Sequence, residues 1–324
     1  MVIVRMAFWL SNLAGTGDKS LMAALLSRYI VAAAALTGII LGFLVPDIGV
    51  LLRPYVAYLL MLVMFSTILT IKTKEVLESS RNLKSLIFPL LMIFVFTPAL
   101  ALTGKELFSP AVFTGVILAL CAPAGLATAF FVRVFKGVTA YSLVITIITN
   151  LISVVTIPFT IFLVVGTAVG IDVSWMFLNL MQIILVPAIF AVLVQRIVKI
   201  DLNRLSGSTS KLNSAIFLLV IWGSIAGRTT YTQNNPAQFL ALTIYILACL
   251  AVAFIVTYAI AAKYGQNLAI TLGIAASLRN GTLPLVIATV AFGSETMSPL
   301  VANLIAQNLI LVFLGICLKE REHL

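Results

Sequence analysis

Ten apolar stretches, each long enough to cross a bilayer, follow one another along this chain with little between them. Hydrocarbon about 30 Å thick takes roughly 20 residues of helix at ~1.5 Å per residue. The stretches run at about 28–46, 50–71, 84–104, 110–135, 138–165, 173–198, 212–230, 236–262, 267–292 and 296–317. Most connections are short and punctuated by Pro, Gly, Asp or Lys, as at VPDIG, LTGKELFSP and TQNNPAQ. The expected fold class is an all-α polytopic membrane protein of ten transmembrane helices.

Composition agrees. Only 9% of the 324 residues are charged and 62% are apolar, against about 25% charged in soluble domains. No soluble core buries that much apolar side chain, so the solvent is lipid. A net charge of +10 suggests nucleic acid in a soluble protein. Here the positive-inside rule accounts for it. With the N-terminus inside, sixteen Lys and Arg fall on the cytoplasmic side and three, Arg53, Lys105 and Arg228, outside. Both termini are then cytoplasmic, and the plasma (inner) membrane is the expected location. Residues 1–27, with the short apolar piece MAFWL, read as a cytoplasmic or interfacial segment, and 318–324 as a cytoplasmic tail.

All ten acids fall in loops or tails, and the single histidine is His323. Acid–base or nucleophilic catalysis at depth has no groups to use, so an enzyme is not expected. Cys121, Cys249 and Cys317 are far apart in apolar runs and read as small buried hydrophobes. No metal centre and no cofactor are expected.

One charge remains. In the ninth span, AASLRNGTLP places Arg279 about a dozen residues from either end. An arginine at a helix centre costs about 2.5–3.5 kcal/mol on insertion scales. It is too deep to snorkel to water along lipid. The expectation is a side chain pointing into the bundle, with acceptors from freed carbonyls and from an anionic guest.

The fourth span, CAPAGLATAFFVRVFKG, and the ninth, LRNGTLPLVIATVAFG, share a pattern. Gly125 and Gly281 are each followed by eleven residues and a second glycine, and Pro123 and Pro284 stand close by. Proline removes a backbone donor and glycine tolerates unwound geometry. These are expected helix breaks. Each lies in the fourth span of its half, which divides the chain into two inverted five-helix repeats, 28–165 and 173–317. Broken spans at matching places in inverted halves point to a transporter's binding site.

A polar stripe supports a central cavity. Ser142, Thr146, Thr149, Asn150 and Ser153 recur at three- and four-residue steps in the fifth span. Thr128 and Asn280 are placed to line the same space. Gly223 and Gly227, in GSIAG, read as a packing surface.

CAPAGLATAFF, TAYSLVITIITNLISVVTIP and AASLRNGTLP resemble the bile acid:sodium symporter family, within the wider group of bile, arsenite and riboflavin transporters, over roughly residues 28–317. The resemblance implies a panel domain and a core domain, with substrate near the crossing of broken spans four and nine. It also implies sodium ligands, carried over residue by residue. Where relatives read Gly-Gly-Thr-Ala-Ser-Asn, this chain reads Ala124-Gly125-Leu126-Ala127-Thr128-Ala129. Thr128 replaces the serine hydroxyl, and Ala129 does not replace the asparagine. Ser142 and Thr146 match hydroxyl ligands of the following span. Ala275 stands at the glutamate shared by two sodium sites, Arg279 at the glutamine, and Asn280 at a residue lining the substrate cavity.

The expected function is therefore a secondary transporter of small organic anions working by alternating access. Arg279, Asn280, Thr128 and Asn150 are its expected substrate residues. Thr128, Ser142 and Thr146 are what remains of the sodium sites. The expected partners are the organic anion and the lipid bilayer, with no nucleic acid. A conventional sodium-coupled symporter, or a passive channel or sensor on the same fold, are the alternatives.

Overall fold

The computed structural model describes residues 33–70, 83–125, 127–165, 173–198 and 202–317. The expectations for 1–27 and 318–324 lie outside the described residues. Among these, every regular element is helical. Six helices are long and apolar enough to cross a membrane: α2 (Pro46–Leu69), α3 (Ser85–Gly104), α6 (Thr139–Val164), α7 (Ser174–Ile197), α10 (Pro236–Tyr264) and α13 (Met297–Gly315). The chain is thus a polytopic helical membrane protein.

Four expected spans are not among the six, two of them because they are divided. α1 covers Ala33–Leu44 and the apolar part of α8 covers Leu212–Ile225. The fourth stretch is split into α4 (Pro110–Leu120) and α5 (Thr128–Val134). The ninth is split into α11 (Gln266–Ser277) and α12 (Thr282–Ala291). A short helix, α9 (Thr230–Asn234), lies between α8 and α10.

Local chemistry sets these ends. α4 starts at Pro110, where a missing N–H costs nothing, and Ser109 Oγ caps it by accepting from Val112 N at 3.4 Å. Lys136 (φ 59°) turns the chain after α5, and Gly137 N closes the turn on Val132 O at 2.7 Å. Pro284 belongs to the first turn of α12, and so opens that helix rather than lying in the gap.

Prolines also disturb continuous helices, and two carbonyls freed in α3 find partners from elsewhere. Pro89 has no N–H for Ser85 O, which accepts from Tyr141 Oη at 2.6 Å. In α3 the helix widens into a π-turn at Met92–Phe96, just before Pro98. There Thr97 N donates to Met92 O, so the next carbonyl, Ile93 O, would need an amide hydrogen on residue 98. Proline has none.

The core is continuous through the bundle, with Leu60, Met64, Ile117, Leu120, Leu180, Ile184, Leu250 and Ile274 fully buried within it. A second cluster, including Ile93, Ala124, Ile145, Leu272 and Ala275, surrounds the breaks. Large apolar side chains such as Phe159, Phe190 and Ile255 are exposed, as lipid-facing positions require. Gly223 packs against α2, for a Cβ there would meet Val56 Cγ1 at 2.8 Å. Gly227, with φ +67°, instead turns the chain after α8.

Candidate functional site

The two breaks meet. Ala124 and Arg279 form an isolated antiparallel bridge. Gly125 N donates to Leu278 O at 2.9 Å, and Asn280 N donates to Pro123 O at 2.8 Å. Each unwound segment thus supplies what the other lost, which removes the several-kcal/mol cost of an unmet group in lipid. A Cβ at Gly125 would stand 3.0 Å from Arg279 O, so the close approach needs glycine there.

Arg279 is 2% exposed and is the one charged side chain among the buried described residues. Its guanidinium does not stand free. Nη1 donates to Ala122 O at 3.3 Å, in the first break, and to Ile93 O at 3.4 Å, the carbonyl that Pro98 leaves open. Nη2 donates to Thr97 Oγ1, which itself donates to Met92 O at 2.8 Å. Nε is buried with no partner. Hydrogen bonds to charged groups contribute about 1.5–3 kcal/mol each. Three, two of them long, suffice to offset an insertion cost of about 2.5–3.5 kcal/mol.

The amides form a second layer. Asn280 Nδ2 donates to Asn150 Oδ1 at 3.0 Å. Asn150 Nδ2 donates to Ala124 O at 3.0 Å and to Thr146 O at 2.8 Å. Asn280 Oδ1 accepts from Leu283 N at 3.3 Å and Thr282 Oγ1 at 3.0 Å, fixing the start of α12. Thr149 Oγ1 lies 3.3 Å from Ala124 N and also bonds Ile145 O at 2.7 Å; Ser153 bonds Asn150 O at 2.6 Å.

The three hydroxyls carried over as sodium ligands behave differently. Ser142 Oγ and Thr146 Oγ1 are buried and without a hydrogen-bond partner. Thr128 Oγ1 reaches Leu278 O only at 3.5 Å. No carboxylate joins them: Ala275 is fully buried, and among the described residues no group of three His, Cys, Asp or Glu is placed to hold a metal.

Three contributors escaped the sequence reading. Thr97 and the Ile93 carbonyl come from the third stretch, and their trace is the Thr97-Pro98 pair. Gln307, from α13, accepts from Arg279 N with Oε1 at 3.0 Å, while its Nε2 stays buried and unpartnered. The tenth span carries three amides, Asn303, Gln307 and Asn308, and nothing in the sequence singles out Gln307.

The electrostatic sum is simple. Each helix end carries roughly half a charge. The C-termini of α4 and α11 face the crossing, and so do the N-termini of α5 and α12, so these contributions cancel. The net excess is the guanidinium.

Two unwound segments that pair inside an apolar helical bundle, around polar side chains, define a secondary transporter of the broken-helix type. The chain belongs to the SBF-like CPA transporter family, whose pattern it matches over residues 30–321. It is 22% identical over 243 residues to the uncharacterized protein YbaS of Bacillus subtilis, covering 73% of this chain and 79% of that one. It is 28% identical over 158 residues to the uncharacterized sodium-dependent transporter YocS of the same organism, covering 48% and 49%. It is 26% identical over 226 residues to a probable sodium/metabolite cotransporter, chloroplastic BASS4 of rice, covering 66% and 53%. The matches to the last two thus span about half of those proteins. The protein is a membrane transporter, not an enzyme.

Proposed function

We propose that this protein carries a small organic anion across the plasma (inner) membrane by alternating access. Ten spans, arranged as inverted repeats 28–165 and 173–317 with cytoplasmic segments 1–27 and 318–324, move around the crossing. Arg279, Asn280, Thr128 and Asn150 form the substrate region. The observation that carries the reading is the Arg279 guanidinium, held at the crossing by neutral acceptors only, with Nε unpartnered. A carboxylate, sulfonate or phosphate supplies the missing charge.

On this reading Arg279 is a resident cation. A second cation about 4 Å away would be repelled by roughly 4 kcal/mol at an effective dielectric near 20. That is close to a thousandfold in affinity. Transport then runs without sodium, by uniport or anion exchange.

Two relatives carry names that mention sodium, and one observation favours sodium here. Ser142 Oγ and Thr146 Oγ1 lie buried without partners, and a hard cation takes oxygen ligands of that kind. The second reading is therefore a sodium-coupled symporter that keeps one hydroxyl-lined site. A thermal-shift screen of small carboxylates, each run in sodium and in potassium, separates the two. Stabilisation by a carboxylate in both salts supports the first reading. Stabilisation only in sodium supports the second. A single-channel conductance in planar bilayers would replace both with a passive pore, and carboxylate binding without uptake would mark a sensor.

A further inference from the structure

The far end of α12 is held by a side chain from another part of the bundle. Arg228 follows α8 across a turn at Gly227, where φ is +67°. Its Nη1 donates to Ala288 O at 3.2 Å and Phe292 O at 2.6 Å, and its Nη2 to Thr289 O at 2.7 Å. A helix leaves acceptors open and partly negative at this end, so a guanidinium binds well there. Arg228 is itself anchored. α8 packs closely on α1 and α2: a Cβ on Gly42 would meet Ile225 Cγ2 at 2.9 Å, and one on Gly49 would meet Trp222 Cδ1 at 2.7 Å. Trp222 Nε1 donates to Val45 O at 3.0 Å, and Arg53 Nη2 to Ala226 O at 2.5 Å. Helices α1, α2 and α8 thus form one closely packed group, tied up to the residue before Gly227.

α12 belongs to the crossing. It starts at the second break, where Asn280 Oδ1 accepts from Leu283 N at 3.3 Å. Its ten residues make a rod about 15 Å long, so the two ends shift together. α12 packs against α2 and α8, whereas α5 and α11, the arms on the other side of the breaks, pack against α6 and each other. An apolar cleft runs between α12 and α7, lined by Val286, Ile287 and Val290 on one side and by Met176, Leu180 and Ile183 on the other. Those side chains can part without breaking a hydrogen bond. The three bonds of Arg228 do have to break if the end of α12 leaves α8. Arg228 is half-buried, so a released guanidinium turns to water and leaves no buried charge behind.

We infer that Arg228 is a latch, a positioning residue that acts on the crossing through α12. Its bonds keep the seam between α12 and the α1–α2–α8 group shut, and they release when the carrier opens its crossing at that end. The charge count puts this end outside, so the structure is the outward-closed member of the cycle. The inference rests on the alternating-access reading. Arg53 supplies the contrast: it also donates to a helix-end carbonyl, but its bond to Ala226 O lies within the group and spans no seam.

Thiol accessibility in the purified full chain tests it. Ile287→Cys places a thiol on the seam, at a position 5% exposed, and a charged methanethiosulfonate reports how often the seam opens. The natural thiol of Cys249, buried in α10, is the internal reference for general loosening. Adding Arg228→Gln should raise the modification rate at residue 287 by about threefold or more and leave the rate at Cys249 unchanged. Adding Arg53→Gln instead should keep the rate at residue 287 within about twofold. An unchanged rate at residue 287 in Arg228→Gln, a parallel rise at Cys249, or an equal rise in Arg53→Gln overturns the latch. Should Arg228→Gln not fold, Arg228→Lys decides, since lysine keeps the charge and loses the planar fork. A rise of about twofold is then expected, and no rise overturns the latch. No substrate enters the measurement. An unchanged rate therefore counts against the latch alone, and absence of anion uptake by the natural chain against the alternating-access reading alone.

Discussion

Asn280 donates from Nδ2 to Asn150 Oδ1 at 3.0 Å, so the second break is tied by side chain to the helix that follows the first. The same Asn150 serves Ala124 O and Thr146 O through Nδ2. Removing either amide leaves buried polar partners unmet. Asn150→Ala and Asn280→Ala are each expected to lower stability by about 1–3 kcal/mol. The double variant should lose less than the sum, with a coupling of about 0.5–3 kcal/mol. Denaturant unfolding in detergent measures this, and strictly additive losses would separate the two residues.

Arg279→Met tests whether the guanidinium serves the fold or the substrate. The change relieves an insertion cost of about 2.5–3.5 kcal/mol. It also strips donors from Ile93 O and Ala122 O, at about 1–3 kcal/mol each. These nearly cancel, so the expected unfolding temperature moves little while carboxylate uptake into proteoliposomes falls at least tenfold, about 1.4 kcal/mol or more. Arg279→Lys keeps the charge but not the planar fork, and should retain part of the uptake. Unchanged uptake by the Met variant would remove Arg279 from the substrate region.

Pro98→Ala isolates the cradle in α3. An amide hydrogen at residue 98 gives Ile93 O a partner within its own helix and competes with Arg279. The expected outcome is a new amide at residue 98 that is protected from hydrogen exchange, and weaker carboxylate stabilisation in the thermal-shift assay. Affinity should drop by about three- to tenfold, on the order of one hydrogen bond. Equal affinity in the variant would show that the π-turn does not position the arginine.

How much of this was legible beforehand depends on the residue. Gly125, Gly281 and Pro123 announced the breaks, because glycine and proline act on the backbone wherever they stand. Arg279 announced a buried function, because an unpaired charge at depth needs a local reason. Asn150 and Asn280 were legible as polar outliers. Their bond to each other was not, because it depends on how α6 packs beside the crossing. Arg279's partners were hidden for a different reason. Two are backbone carbonyls, which every residue has, and only Pro98 determines that Ile93 O is open. A run such as 110–135 is continuous in hydropathy, which does not register unwinding, yet Pro123 and Gly125 within it marked the division that the backbone shows. Arg53 and Arg228, which the charge count assigned to the outside, cap helix ends.

The last prediction concerns protons. A carrier that couples to protons needs a group titrating in the working range, and a carboxylate or an imidazole is the usual one. Among the described residues, the buried polar side chains are Ser, Thr, Asn, Gln and Arg279, with no carboxylate and no histidine. Hydroxyls and amides do not titrate between pH 6 and 8, and the ordinary pKa of an arginine lies above that window. A substrate carboxylate with an ordinary pKa near 4 is likewise ionised throughout that window. The driving force for anion uptake at zero sodium gradient should then be flat across it. Initial rates at pH 6 and pH 8, measured with equal pH on both sides, should agree within about twofold. An inward proton gradient should not concentrate the substrate. A tenfold fall in rate from pH 6 to 8, or accumulation driven by the gradient, would mean that a titrating group drives the cycle, and the resident-cation account of Arg279 would fail.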